Sequence, residues 1–304
     1  MAGCSGVRQE TTYTTVDAPP LAVVKFGLPR NLPVAHASVN GKYIGFFLLD
    51  TGSSVTVLDA GKAVELGLTP HDSARLRAIG GAMDSPVVHL DQVVIRGVDF
   101  GAQDAVVVDL GQVSRSIHLP IAGILGFGNL RDQVFTLDFT AGTITIEDRV
   151  HFVPPPADVA SEHRLMMVGG LPAVPGSIGS PGDPRGKRYD AWLQIDTGSN
   201  AGLSLPYDWL RQNPRLVAQQ HNRMGQVTGA GGAATTVGSR ISDLEVFGRR
   251  LADQDISIEL QKTGPATRGG AVIGRLGNGV LRDFVLTFDL GQGKLWAKWR
   301  PMPR

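Results

Sequence analysis

The sequence predicts an all-β protein made of two duplicated lobes with few short helices. Three observations predict it. From about Leu21 onward the chain reads as short β-branched or apolar stretches bounded by Gly, Asn or Asp. Its 39 glycines and 19 prolines supply the many turns that a strand-rich fold needs. A long block also occurs twice: Phe47-Leu48-Leu49-Asp50-Thr51-Gly52-Ser53-Ser54 is matched by Leu193-Gln194-Ile195-Asp196-Thr197-Gly198-Ser199-Asn200.

Taken in order, residues 1–20 form a polar, Pro-ended tether, and 21–150 form the first lobe. Strands are expected at Val34 to Asn40, Tyr43 to Leu49, Val87 to Arg96 and Ala105 to Asp109, with hairpin turns at Asn40-Gly41 and Arg96-Gly97. Helical signal is confined to Asp59 to Leu66 and its counterpart Pro206 to Gln212. The proline run after Phe152 marks a linker over 151–164, and the second lobe follows at 165–304. Gly169 to Gly186, rich in Gly and Pro, reads as an expanded loop on that lobe.

The duplication extends past the Asp-Thr-Gly blocks. Ile124-Leu125-Gly126 lies 76 positions after Asp50, and Val272-Ile273-Gly274 lies 78 after Asp196, so the two are read as equivalent. Downstream, Leu130-Arg131-Asp132 through Phe139 matches Leu281-Arg282-Asp283 through Leu290. A period this long means a doubled lobe, not a solenoid array.

Bulk composition narrows the function classes. Net charge is +1, and no basic run is interleaved with aromatics, so nucleic acid is not an expected partner. No apolar run approaches the roughly 20 residues of a membrane span. A single cysteine, Cys4, rules out an internal disulfide. Its setting, Ala2-Gly3-Cys4-Ser5, has the pattern of a bacterial lipoprotein cleavage site, which makes Cys4 a candidate lipidation site and membrane tether. With a start further upstream, the expected location is the cell envelope or periplasm; otherwise it is the cytoplasm.

Two carboxylates on tight glycine turns suggest a chemistry once they face each other. At about 3 Å and an effective dielectric near 20, their repulsion is roughly 5 kcal/mol, so the pair shares one proton over a wide pH range. One carboxylate can then deprotonate a water while the other protonates the carbonyl under attack. Glycine is needed because a Cβ would block the approach of backbone N–H groups to the carboxylates.

With these motifs the chain resembles the aspartic peptidase superfamily, the pepsin and retropepsin group, over roughly Leu21 to Arg300. The resemblance implies a bilobal pepsin-like fold with pseudo-twofold lobes, and an Asp50/Asp196 dyad with no metal or organic cofactor. Thr51 and Thr197 would exchange hydrogen bonds across the lobes, supported by Gly52 and Gly198. Ser53 and Ser199 would bond the outer carboxylate oxygens and favour acid to mildly acid working pH. The substrate would be an extended polypeptide, cut by a monomer. Candidate flaps are Ala78-Ile79-Gly80-Gly81-Ala82 and Val227-Thr228-Gly229-Ala230-Gly231-Gly232. One flap per half makes the chain more similar to fused retropepsin-like halves than to a pepsin, and no flap tyrosine lies between Asp50 and Gly126.

Competing motifs are weaker. Gly229 to Ala234 fits a dinucleotide-binding GxGxxA, but Thr235-Thr236-Val237-Gly238 is a poor start for a helix. The seven histidines have no metal-ligand spacing, and no Gly-x-Ser-x-Gly elbow is present. The expected function is aspartic-type endopeptidase; the alternative is a non-catalytic or narrowly selective protein of this fold that binds or processes one envelope polypeptide.

Overall fold

A computed structural model describes residues 19–180, 186–216, 223–260 and 272–302. Cys4 and most of the N-terminal tether lie outside them. The described residues form three sheets, and short helices occur only at their margins. A nine-stranded sheet makes the first lobe and an eight-stranded sheet the second. A six-stranded sheet joins them, with three strands from the first lobe, two from the second and Ser161–Arg164. The end of the expected 151–164 linker is therefore a strand, paired with Lys294–Trp299.

The joining sheet explains why the Leu-Arg-Asp repeats match. Strand Val134–Asp138 pairs antiparallel with Phe284–Asp289, so the pseudo-twofold axis passes through the one pair of equivalent residues that meet, Thr136 and Thr287. Thr136 faces Thr287, with hydroxyls 2.9 Å apart and an offset of 151 positions. Phe135 stacks on Phe288 at 4.7 Å between centroids, and both rings are fully buried. The closing strand, Lys294–Trp299, completes this side, and Trp296 is buried in it.

Within each lobe, a strand ends in the Asp-Thr-Gly loop and a second strand runs parallel beside it. In the first lobe Lys42–Asp50 is flanked by Ile121–Gly126, with Ile124 opposite Leu48 and Gly126 opposite Asp50. Phe47, Leu49 and Leu125 are buried, which anchors the strand that carries Asp50. In the second lobe Arg188–Ile195 is flanked by Val272–Leu276. The Asn40-Gly41 and Arg96-Gly97 turns both have positive φ at both residues, as a type I′ hairpin requires.

Three expectations need correction. Gly169 to Gly186 is not one loop: after the Gly169-Gly170 turn, Leu171–Gly179 is a strand held between two neighbours. Its glycines permit that closeness, since a Cβ on Gly176 would lie 2.7 Å from Leu193 and one on Gly179 2.4 Å from Asp243. Val87 to Arg96 is broken at Asp91-Gln92, where the Asn40 side chain bonds both residues. The helix Gly111–Ile117 was not foreseen; its N-cap is Leu110, which has no capping side chain.

The downstream motif also shifts. Gly277, not Gly274, is the counterpart of Gly126. A Cβ on Gly126 would strike the Ser53 and Val55 carbonyls, and one on Gly277 the Ser199 and Ala201 carbonyls. Phe127 N–H donates to Ser53 O, and Asn278 N–H to Ser199 O. The second-lobe element is therefore Arg275-Leu276-Gly277, at the same 151 offset as the joining strands.

Candidate active site

Asp50 and Asp196 come together at the base of a cleft between the lobes, with their loops interlocked. Thr51 N–H donates to Thr197 Oγ1 at 2.9 Å, and Thr197 N–H donates to Thr51 Oγ1 at 3.0 Å. Each hydroxyl then donates across the interface, Thr51 to Ile195 O and Thr197 to Leu49 O. Both threonines are 1% exposed, so all four bonds lie in a dry interior where an unmade one costs about 1–3 kcal/mol. The two strands that end in aspartate are thereby fixed relative to each other.

The glycines sit where side chains could not. A Cβ on Gly52 would lie 2.5 Å from Asp196 Oδ1, and one on Gly198 2.6 Å from Asp50 Cγ. That space lets Gly52 N–H donate to Asp50 Oδ1 at 2.7 Å and Gly198 N–H reach the same oxygen at 3.1 Å. Asp196 receives backbone N–H groups from Gly198 and Ser199. Ser53 does not take the expected place: its hydroxyl donates to Val55 O at 2.7 Å, turning the loop instead of touching a carboxylate.

Burial dominates the electrostatics. The Asp50 carboxyl is pushed up to about 8, first by desolvation and then by the Asp196 charge, against the two glycine N–H groups that favour its anion. Asp196 is also raised by desolvation, but the Arg275 guanidinium opposes that rise. Both carboxyls are thus held above the ordinary range as a coupled pair, with the Arg275 charge favouring the anion on the Asp196 side. The backbone N–H groups on Asp50 lower its titration, as the glycine loops lead one to expect, but loss of solvent outweighs them.

Arg275 is the residue that the shifted motif concealed. It is 7% exposed, its Nη1 lies 3.7 Å from Asp196 Oδ2, and its Nη2 pairs with the buried Glu259. Asn278 was missed with it. Its fully buried amide donates to Thr197 O and Asn31 O, both at 2.8 Å, tying the second Asp loop to the first lobe. The signal that places Arg275 was present as Leu-Gly-x-Gly-x-Leu-Arg-Asp, which begins at Leu125 and again at Leu276, directly after Ile124 and Arg275.

Two hairpins cover the dyad. One is Asp72–Ala78 paired with Gly81–Leu90, and the other is Arg223–Gly229 paired with Gly232–Val246. Their tips meet: a Cβ on Gly80 would lie 2.4 Å from Gly231 O, and one on Gly229 2.6 Å from Ile79 Cβ. Gly80 has φ +96, which a larger residue would resist. Gly81 and Gly232, the last turn residues, have open space at their Cβ positions. Beneath the tips, a cavity of about 120 Å³ touches Asp50, Asp196, Ile79, Gly229 and Arg275.

Comparison with known proteins bears on the first lobe. Residues 35–128 match the family model described as aspartyl protease. No curated protein matches the chain. The matched span carries Asp50-Thr51-Gly52, the first covering hairpin and Ile124-Leu125-Gly126. By that match residues 35–128 are similar to aspartyl proteases, and the all-β fold that carries them agrees with it.

Proposed function

We propose that the protein is an aspartic-type endopeptidase in which Asp50 and Asp196 together activate one water. The observation that carries this is the convergence of both carboxyls on Gly52, each supported by loop N–H groups. Asp196, charged, takes a proton from the water as it attacks the peptide carbonyl. Asp50, protonated, donates to the carbonyl oxygen, and the amine leaves after a second proton transfer. No covalent intermediate is required.

Substrate binding follows from the cleft. A space of about 120 Å³ holds a few waters but no peptide, so the touching tips must part before an extended chain can lie beneath them. A second depression of about 380 Å³ continues past Ser53, lined by Val55, Leu76 and Leu171, which gives the substrate length on that side. Strand-like pairing with the two hairpins would hold its backbone.

On this reading, residues 21–150 and 165–304 are two fused retropepsin-like halves. Both aspartates come from one chain, so a monomer is sufficient. The narrowly selective alternative gains support from Arg275, because a buried ion pair beside the dyad restricts what can lie there.

The test is cleavage of a denatured protein from pH 3 to 9, beside Asp196→Asn. Wild-type cleavage that falls at least about 10³-fold in the variant supports the dyad. Equal rates in the two proteins would overturn it.

A further inference from the structure

The register of the two lobes can be compared position by position around the dyad. In the first lobe Ile124 lies between Leu48 on one neighbouring strand and Val57 on the other. In the second, Arg275 lies between Gln194 and Ser204 in the same two relationships. One strand further out, Val57 pairs with Val106 and Ser204 with Ser257. Two residues along that ladder, Val108 is matched by Glu259. Five apolar positions of the first lobe are thus all polar or charged in the second.

The difference lies at the cleft. Leu48, Val57 and Ile124 line the cavity from the first side, joined by Leu32, Val113 and Ile117. Gln194 and Arg275 line it from the second. The first set belongs to a continuous apolar cluster, so a side chain entering there gains by leaving water. On the second side an apolar side chain would cover the guanidinium and the Gln194 amide and give them nothing to bond.

Charge refines the expected partner. Arg275 already faces two carboxylates, Glu259 and Asp196, with Asp50 next to Asp196. A substrate carboxylate would add a further anion to a site where one guanidinium is already outnumbered. An uncharged side chain with a carbonyl or hydroxyl oxygen can accept from Arg275 or Gln194 without that repulsion.

We propose that the two sides of the scissile bond are read by opposite chemistries, an apolar side chain on the first-lobe side and an uncharged hydrogen-bonding side chain on the second-lobe side, with Arg275 as the specificity-determining residue. This rests on the peptidase reading, but its test does not need turnover.

The experiment measures calorimetric binding of hexapeptides whose central amide is replaced by a hydroxyethylene group, a mimic of the tetrahedral state. The central pairs are Leu/Leu, Leu/Gln, Gln/Leu, Leu/Glu and Glu/Leu. One of the two glutamine peptides should bind wild type about 10-fold tighter than all the others. In Arg275→Ile/Glu259→Val, which copies Ile124 and Val108, Leu/Leu should become the tightest. Gln194→Leu is a milder variant that keeps the ion pair; it should reduce the glutamine preference about 3-fold.

Leu/Leu binding wild type as tightly as either glutamine peptide would overturn the inference. So would an unchanged preference in both variants, each checked for folding by its thermal transition. A glutamate peptide binding tightest would overturn the charge argument. The matching amide peptides separate the two readings: a glutamine preference in binding with no cleavage refutes the peptidase and keeps the inference, whereas cleavage without that preference does the reverse.

Discussion

The two lobes agree closely in their Asp loops and disagree one residue beneath them. Thr51 and Thr197 make reciprocal bonds of nearly equal length, and Gly52 and Gly198 leave equally little room. Yet Ile124 sits in an apolar cluster, whereas Arg275, its counterpart, sits in an ion pair. The difference separates two kinds of constraint. Loop positions are fixed by sterics and by buried N–H groups that must be bonded, so duplicated copies stay alike. Floor positions pack on neighbours that can change with them and also face what enters the cleft, so they can diverge as a set.

The loop symmetry can be broken most severely at the glycines. Gly52→Ala and Gly198→Ala should each lower cleavage by about 10²-fold or more, because displacing a reacting group by 1 Å costs that much. Steady-state kinetics on one substrate would compare them, and a loss confined to one variant would show that the loops are not equivalent.

The threonines test the same symmetry through stability. Thr51→Val removes a buried donor to Ile195 O and the acceptor of the Thr197 N–H, and Thr197→Val does the mirror image. Each should cost about 2–4 kcal/mol in urea unfolding. The double variant should cost less than the sum, since the first change already loosens the partner's bonds.

Asp50→Asn should sharpen the comparison through pH. Burial pushes the folded carboxyl up to about 8 from its ordinary 3.8, so the fold favours its protonated form. That contribution is full below the unfolded value and is lost as pH rises through about 8. At pH 9 the wild type must bury an anion, and the asparagine variant need not. The variant should therefore be more stable by about 2–5 kcal/mol at pH 9 and near equal at pH 3. Asp196→Asn should gain less, because Arg275 already stabilises that anion. Thermal unfolding at both pH values reads the difference.

The same division between loop and floor decides what the sequence could tell. Asp-Thr-Gly and the glycine-rich tips are legible because backbone contact admits almost no other residue there, as Gly80 against Gly231 O illustrates. The second-lobe floor was misread because an apolar-apolar-Gly template also fits Val272-Ile273-Gly274, the counterpart of Ile121-Ala122-Gly123, three residues early. A guanidinium at an expected apolar position breaks that template, and only the longer Leu-Gly-x-Gly-x-Leu-Arg-Asp repeat restores the alignment. Asn278 was illegible for another reason: its counterpart is Phe127, so duplication gives no hint of an amide that ties the lobes.

The smallest effect isolates the floor from the loops. In Arg275→Met/Glu259→Gln the ion pair is replaced by neutral side chains of similar size, and no loop bond is touched. Arg275 lies against Asp196 and lowers its titration, while Glu259 offsets part of that charge from behind. Loss of the pair should raise the Asp196 titration. Cleavage needs Asp196 ionised, so the acid limb of kcat/KM should move up by about one pH unit. The alkaline limb, set by Asp50 near 8, should move less, because its rise comes first from burial and then from Asp196. An acid limb that stays in place would mean that the Arg275 charge does not reach the dyad, leaving the second-lobe floor to act on the substrate alone.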